Sequence, residues 1–151
     1  MRSANLTLVL AAMLSFGLAL FQAAISFVPE WSEYFGAGDA LVSDPALLLE
    51  AGLAVTVLFA MAGLYGLSGA GVIRGLPLLR TGLVVITLVY IYLGTLFVPQ
   101  FLVTIGAQAS PEPMPLQYLL SSLVALVIGL LYLVGLVAGW NTISQKKAVA
   151  A

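Results

Sequence analysis

Residues 116–138 read LQYLLSSLVALVIGLLYLVGLVA, 23 positions without one charged side chain. At about 1.5 Å per residue, a helix of that length crosses the ~30 Å hydrocarbon core of a bilayer. Lipid offers no water to backbone N–H and C=O groups, so a run this long without polar alternation must be helical. Stretches 5–28, 46–68 and 79–104 read the same way. The expectation is an all-α membrane protein, a single domain built as a bundle of four transmembrane helices. Segments 29–45, 69–78 and 105–115 connect the spans, and 139–151 forms the tail, polar from Gln145 to Ala151.

The charges orient this bundle. Arg2 precedes the first span, Arg74 and Arg80 bracket the connection between the second and third, and Lys146 and Lys147 follow the fourth. Glu30, Glu33, Asp39 and Asp44 fall between spans one and two, Glu112 between three and four, and Glu50 near the start of span two. Short Lys- and Arg-bearing loops stay cytoplasmic during insertion, so both termini are expected inside. Segments 29–45 and 105–115 are then outer loops and 69–78 an inner one.

Composition excludes more functions than any motif supports. The chain is 62% hydrophobic and 7% charged over 151 residues, too few charges to cover a soluble domain of that size. A net charge of −1 supplies no basic patch for nucleic acid. With no Cys and no His, disulfides, thiolate chemistry and the usual haem and zinc ligands are absent, and neither a cofactor nor a metal site is expected. The first span has some features of a cleavable signal, with Arg2 before the apolar run and Ala23-Ala24 at its end. Its apolar stretch is longer than a signal core, and its removal would break the charge pattern, so it is read as retained.

Punctuation supports these spans. Asp44-Pro45 supplies an N-cap and a proline at the first helical position. Gly69-Ala70-Gly71 ends the second helix, and the proline-rich stretch 110–115 cannot continue one. A shift of 70 residues lays Phe27-Val28-Pro29 on Phe97-Val98-Pro99, Pro45 on Pro115 and Gly69 on Gly139. This register suggests a duplicated two-helix hairpin, both copies inserted the same way up.

Three features are candidates for function. In Pro29-Glu30-Trp31-Ser32-Glu33-Tyr34-Phe35 a short helix would place Trp31, Tyr34 and Phe35 on one face. That face reads as an interfacial aromatic anchor capping the bundle, or as a lid with Glu30 and Glu33 toward a polar ligand. Small residues recur at helical spacing: Ala11, Ser15, Ala19 and Ala23; Gly52, Thr56, Ala60 and Gly63; Ser122, Ala125 and Gly129; then Gly135 and Gly139. Such stripes pack helices within the chain, or form a homodimer seam best attached to Gly135 and Gly139. Finally, Gln22, Ser26, Glu50, Tyr90 and Gln100 are polar groups that would form an outward-facing ligand pocket if they converge. The alternative is that each bonds across helices or reaches the interface. Glu50 either stabilises its helix end through the dipole or binds a proton or cation. No charge lies at the centre of any span, against active transport by this chain alone.

Phe21–Phe27 and Trp31–Gly36, with Gly63–Gly71 and Ile73–Arg80, resemble a group of small four-span bacterial inner-membrane proteins over the first two-thirds of the chain. In topology the chain is also similar to DoxX-like four-helix proteins. The resemblance implies the fold and the inner membrane, and carries over no functional residue. The first expectation is a non-enzymatic accessory or structural protein of the lipid bilayer, with a homodimer or membrane-protein partner. The second is a binder or facilitator of a small apolar or lipid ligand, and the third an enzyme working through carboxylates.

Overall fold

The computed structural model describes residues 5–109 and 115–149 and is helical throughout, with no strand among them. Four helices are long and apolar enough to span a membrane, with mean hydropathies of 2.1 to 2.6. They are α1 (Leu6–Ile25), α4 (Pro45–Ala70), the pair α5 (Leu79–Thr95) and α6 (Phe97–Thr104), and α7 (Leu116–Val149). Short helices α2 (Pro29–Tyr34) and α3 (Asp39–Val42) lie between the first two spans. The chain is therefore a multi-pass integral membrane protein. Arg2, residues 110–114 and the side chains of Lys146 and Lys147 lie outside the described residues.

Boundaries move where local chemistry intervenes. Helix α1 stops at Ile25, three residues before the expected end, because Val28 precedes Pro29 and is held extended (φ −127°, ψ 96°). Pro29 then opens α2. Asp44 caps α4, its Oδ1 accepting from the Ala46 and Leu47 N–H groups at 3.1 and 3.2 Å. Gly71, at φ 84°, ends α4 as a left-handed cap, and the Val72 N–H bonds the Leu67 carbonyl at 3.0 Å.

The third span is not one helix. Pro99 has no N–H to offer the Thr95 carbonyl, and the chain breaks at Leu96 into α5 and α6. Pro29 and Pro99, 70 positions apart, thus both mark a short helix that follows a long one. The fourth span exceeds its expected limit at residue 138 and continues through the polar tail to Val149. No proline or left-handed glycine interrupts it, and Gln145, Lys146, Lys147 and Ala148 are good helix formers. At ~1.5 Å per residue α7 is about 51 Å long, so its last turns project beyond the hydrocarbon or the helix tilts.

The spans form two antiparallel hairpins, α1 with α4 and α5 with α7, joined chiefly where α1 packs on α7. The core on this seam includes Leu8, Ala11, Leu83, Ile128, Tyr132 and Leu136. Small residues permit the close approach. A Cβ at Gly63 would meet the Phe16 ring at 2.8 Å, and one at Gly135 would lie 2.6 Å from Leu8 Cγ. Gly52 packs directly on Ser26. Gly139 faces the Asn5 amide, so the Gly135–Gly139 motif is occupied by α1 of the same chain.

The end of the bundle that carries both termini is tied by polar side chains. Asn5 caps α1, and its Nδ2 donates to the Gly135 carbonyl at 2.7 Å while its N–H reaches the Ala70 carbonyl at 3.3 Å. Ser68 Oγ donates to the Arg74 carbonyl and accepts from the Leu76 N–H, folding the 71–78 loop back on α4. Arg80 reaches from α5 to α7: its guanidinium lies 4.5 Å from the Trp140 ring centroid and donates to the Trp140 carbonyl at 3.1 Å. Arg80 is therefore a packing residue as well as a topology signal. Arg74 is exposed at the same end.

Candidate functional site: a one-sided cavity beneath the α2–α3 cap

Helices α4 and α5 touch sparingly, and they meet in the half of the bundle near the termini. There Gly82 receives the Tyr65 ring and Gly69 faces Leu83. At mid-depth the rings of Phe59 and Tyr90 stack at 6.2 Å between centroids. Beyond that level the two helices part, and a cavity of about 670 Å³ opens between them, α1 and α7. It is within the ~300–1,000 Å³ range of small-molecule sites.

Its roof is the cap. Ser32 Oγ, buried, donates to the Ile25 carbonyl at 2.8 Å and seats α2 on the end of α1. Phe35 packs edge-on against Phe21 (4.9 Å) and Tyr34 (5.1 Å). Gln117 Nε2 donates to the Tyr34 carbonyl at 3.1 Å and fastens the cap to α7. Gly36, at φ 102°, turns the chain under Tyr118, where a Cβ would lie 3.1 Å from the ring. Tyr34, Phe35 and Gly36 line the cavity. Glu30, Trp31 and Glu33 do not, and all three side chains are exposed. The aromatic face thus divides: Phe35 turns inward and Trp31 outward. The two glutamates do not line the cavity.

Of the five residues expected to converge, three do. Gln22, Ser26 and Tyr90 line the cavity, whereas Glu50 and Gln100 are not among its lining residues. Glu50 is exposed on α4. Gln100, on α6 beyond the break at Leu96, is half-buried with its Oε1 sealed from solvent and without a hydrogen bond among the described residues. Ser26 Oγ is committed to the Gln22 carbonyl at 2.6 Å. Gln22 lines the cavity, and its side-chain amide bonds no described residue. Ser122, only 7% exposed, likewise leaves its hydroxyl without a partner there. Among the described residues no Asp, Glu, Lys or Arg lines the space.

The floor rests on a buried hydrogen-bond chain. Tyr90 Oη donates to Ser15 Oγ at 3.1 Å, Ser15 is 3.1 Å from Tyr132 Oη, and Tyr132 donates to the Ala62 carbonyl at 2.7 Å. The Tyr90 and Tyr132 rings stack at 5.8 Å. Four helices contribute to this chain, and it fixes Tyr90 at the bottom of the cavity. Ser15 and Ser122 belong to small-residue stripes that the sequence offers as packing faces. Their only distinguishing signal was a hydroxyl where alanine or glycine would pack as well.

Neither a protein family, nor a curated protein, nor a solved structure matches the chain. The fold and cavity define a class, the four-span helical membrane protein with a one-sided intramembrane cavity.

Proposed function

We propose that this chain is a bacterial inner-membrane protein, termini cytoplasmic, that binds or facilitates a small, neutral, largely apolar molecule in the cavity beneath its α2–α3 cap. The observation that carries this reading is the lining itself. It is mostly apolar, includes no charged side chain among the described residues, and contains Gln22 and Ser122, whose side-chain polar groups no described residue satisfies. A purely structural bundle gains nothing by leaving these groups unpaired beside a void, since a void forfeits packing. The accessory role expected from the sequence needs only helix faces, and the GxxxG face is taken by α1. The orientation is supported by Arg74 and Arg80 at the end of the termini and by Glu30, Glu33, Asp39 and Asp44 at the cap.

The test is native mass spectrometry of the protein purified in mild detergent. A co-purifying molecule is expected on the wild-type chain and should be lost on Ala51→Phe and on Ser122→Phe, which fill the cavity from α4 and α7. Circular dichroism must show both variants folded. A wild-type protein that is empty in every preparation would overturn the reading.

A further inference from the structure

The cavity has a polarity gradient along the bundle axis. Its polar lining, Gln22, Ser26, Ser32, Gln117, Ser121 and Ser122, sits in the turns next to the cap. Its deeper lining is apolar, from Leu18, Val55 and Leu93 down to Phe59, the Tyr90 ring and Ala125. Along α7 the lining runs from Leu116 to Ala125, about 13 Å at ~1.5 Å per residue, close to the depth of one leaflet of a ~30 Å core. The space is therefore wet at the membrane surface and dry toward the midplane, the same order as the adjoining leaflet. It is also open at the side. Val55 on α4 and Leu93 and Leu96 on α5 line it and are exposed.

On the reading that the cavity is a binding site, we infer that its ligand is a neutral single-chain amphiphile. It is taken from the bilayer sideways between α4 and α5. Its hydroxyl or ester head lies against Gln22 and Ser122, and its tail runs down to Phe59 and Tyr90. Three observations select this class. A cavity of about 670 Å³ is of small-molecule size, the scale of one chain and a small head rather than of a two-chain phospholipid. An ionised head would find no counter-charge, because among the described residues no charged side chain lines the cavity. A plain hydrocarbon would leave Gln22 and Ser122 unsatisfied, whereas a hydroxyl-bearing ester head both donates and accepts and pairs with both.

The experiment uses the delipidated full-length protein in detergent, titrated with a monoacylglycerol, the fatty acid anion of the same chain, and a two-chain phosphatidylcholine. Binding is read by native mass spectrometry. The monoacylglycerol is expected to bind one to one and most tightly. Gln22→Leu should weaken it by about three- to tenfold, the value of one hydrogen bond. A photoreactive group at the tail end should label the Phe59, Tyr90 and Leu93 region, and one beside the head the Gln22 and Ser122 region. Equal binding of the anion or the phospholipid, labelling in the reverse order, or indifference to Gln22→Leu would overturn the amphiphile. Persistence of a different co-purifying molecule would do so while leaving the cavity reading intact. If the wild-type chain binds nothing and none of the three competes, both readings fall.

Discussion

The Tyr132 hydroxyl donates to the Ala62 carbonyl at 2.7 Å, and that commitment orders the protons around it. With its own proton engaged, Tyr132 can only accept from Ser15, and Ser15 in turn accepts from Tyr90. Three hydroxyls therefore point one way across four helices and end on a backbone oxygen. Chains of this kind polarise their members and are strongest when every donor is satisfied.

Tyr132→Phe should break this chain at its end. Side-chain hydrogen bonds between membrane helices contribute about 0.6 kcal/mol on average and up to about 1.7, so a loss in that range is expected. Ser15→Ala should cost a similar amount, and the double variant less than the sum, since both remove the same chain. Unfolding in graded denaturing detergent, followed by circular dichroism, measures all three. Strict additivity would show that the hydroxyls do not act together.

Gly66→Ala should be harmful where Gly17→Ala is not. A Cβ at Gly66 would lie 2.9 Å from Ala12 Cβ and 3.0 Å from Tyr132 Oη, while at Gly17 nothing lies within 4 Å. Overpacking costs about 1–3 kcal/mol, and the displaced hydroxyl adds to it. At Gly17, in an exposed helical position, alanine should be neutral or slightly stabilising. The same unfolding titration compares them.

Arg80→Lys should loosen the α5–α7 contact near the termini although the charge is kept. Lysine lacks the planar guanidinium that covers the Trp140 ring and reaches its carbonyl together. A loss of about 0.5–1 kcal/mol is expected. Trp140 fluorescence should also change, read in a Trp31→Phe background, because these are the two tryptophans of the chain. An unchanged spectrum would argue that the contact is not held in the membrane.

The absence of native cysteine permits a direct test of orientation. Glu33→Cys, in the exposed cap, should react with a membrane-impermeant thiol reagent added to spheroplasts. Gly75→Cys, in the 71–78 loop with no atom within 4 Å of a Cβ, should react only after permeabilisation. The reverse pattern would place the cap and its cavity on the cytoplasmic side.

The number of the spans was legible because hydrophobic length is a local property, as were the Asp44 cap and the Gly71 stop. The break at Leu96 was legible in principle, since Pro99 announces it, yet a hydropathy run passes over a proline without a dip. The extension of α7 was obscured by the opposite error: polarity after Ala138 ends a membrane span but does not end a helix. Gln22, Ser26 and Tyr90 were identified as polar groups of interest, but so were Glu50 and Gln100, and nothing local separates the two sets.

What the sequence determined by itself is that four apolar helices cross a membrane, that charge divides their two ends, and that neither histidine nor thiolate chemistry is available. Only the tertiary structure decided that α4 and α5 part above Phe59 and Tyr90, that Gln22 and Ser122 line the resulting space, and that Glu50 does not. The physical reason is that composition and hydropathy act along the chain, whereas a cavity is the place where helices fail to meet. That failure depends on the side chains of four helices at once.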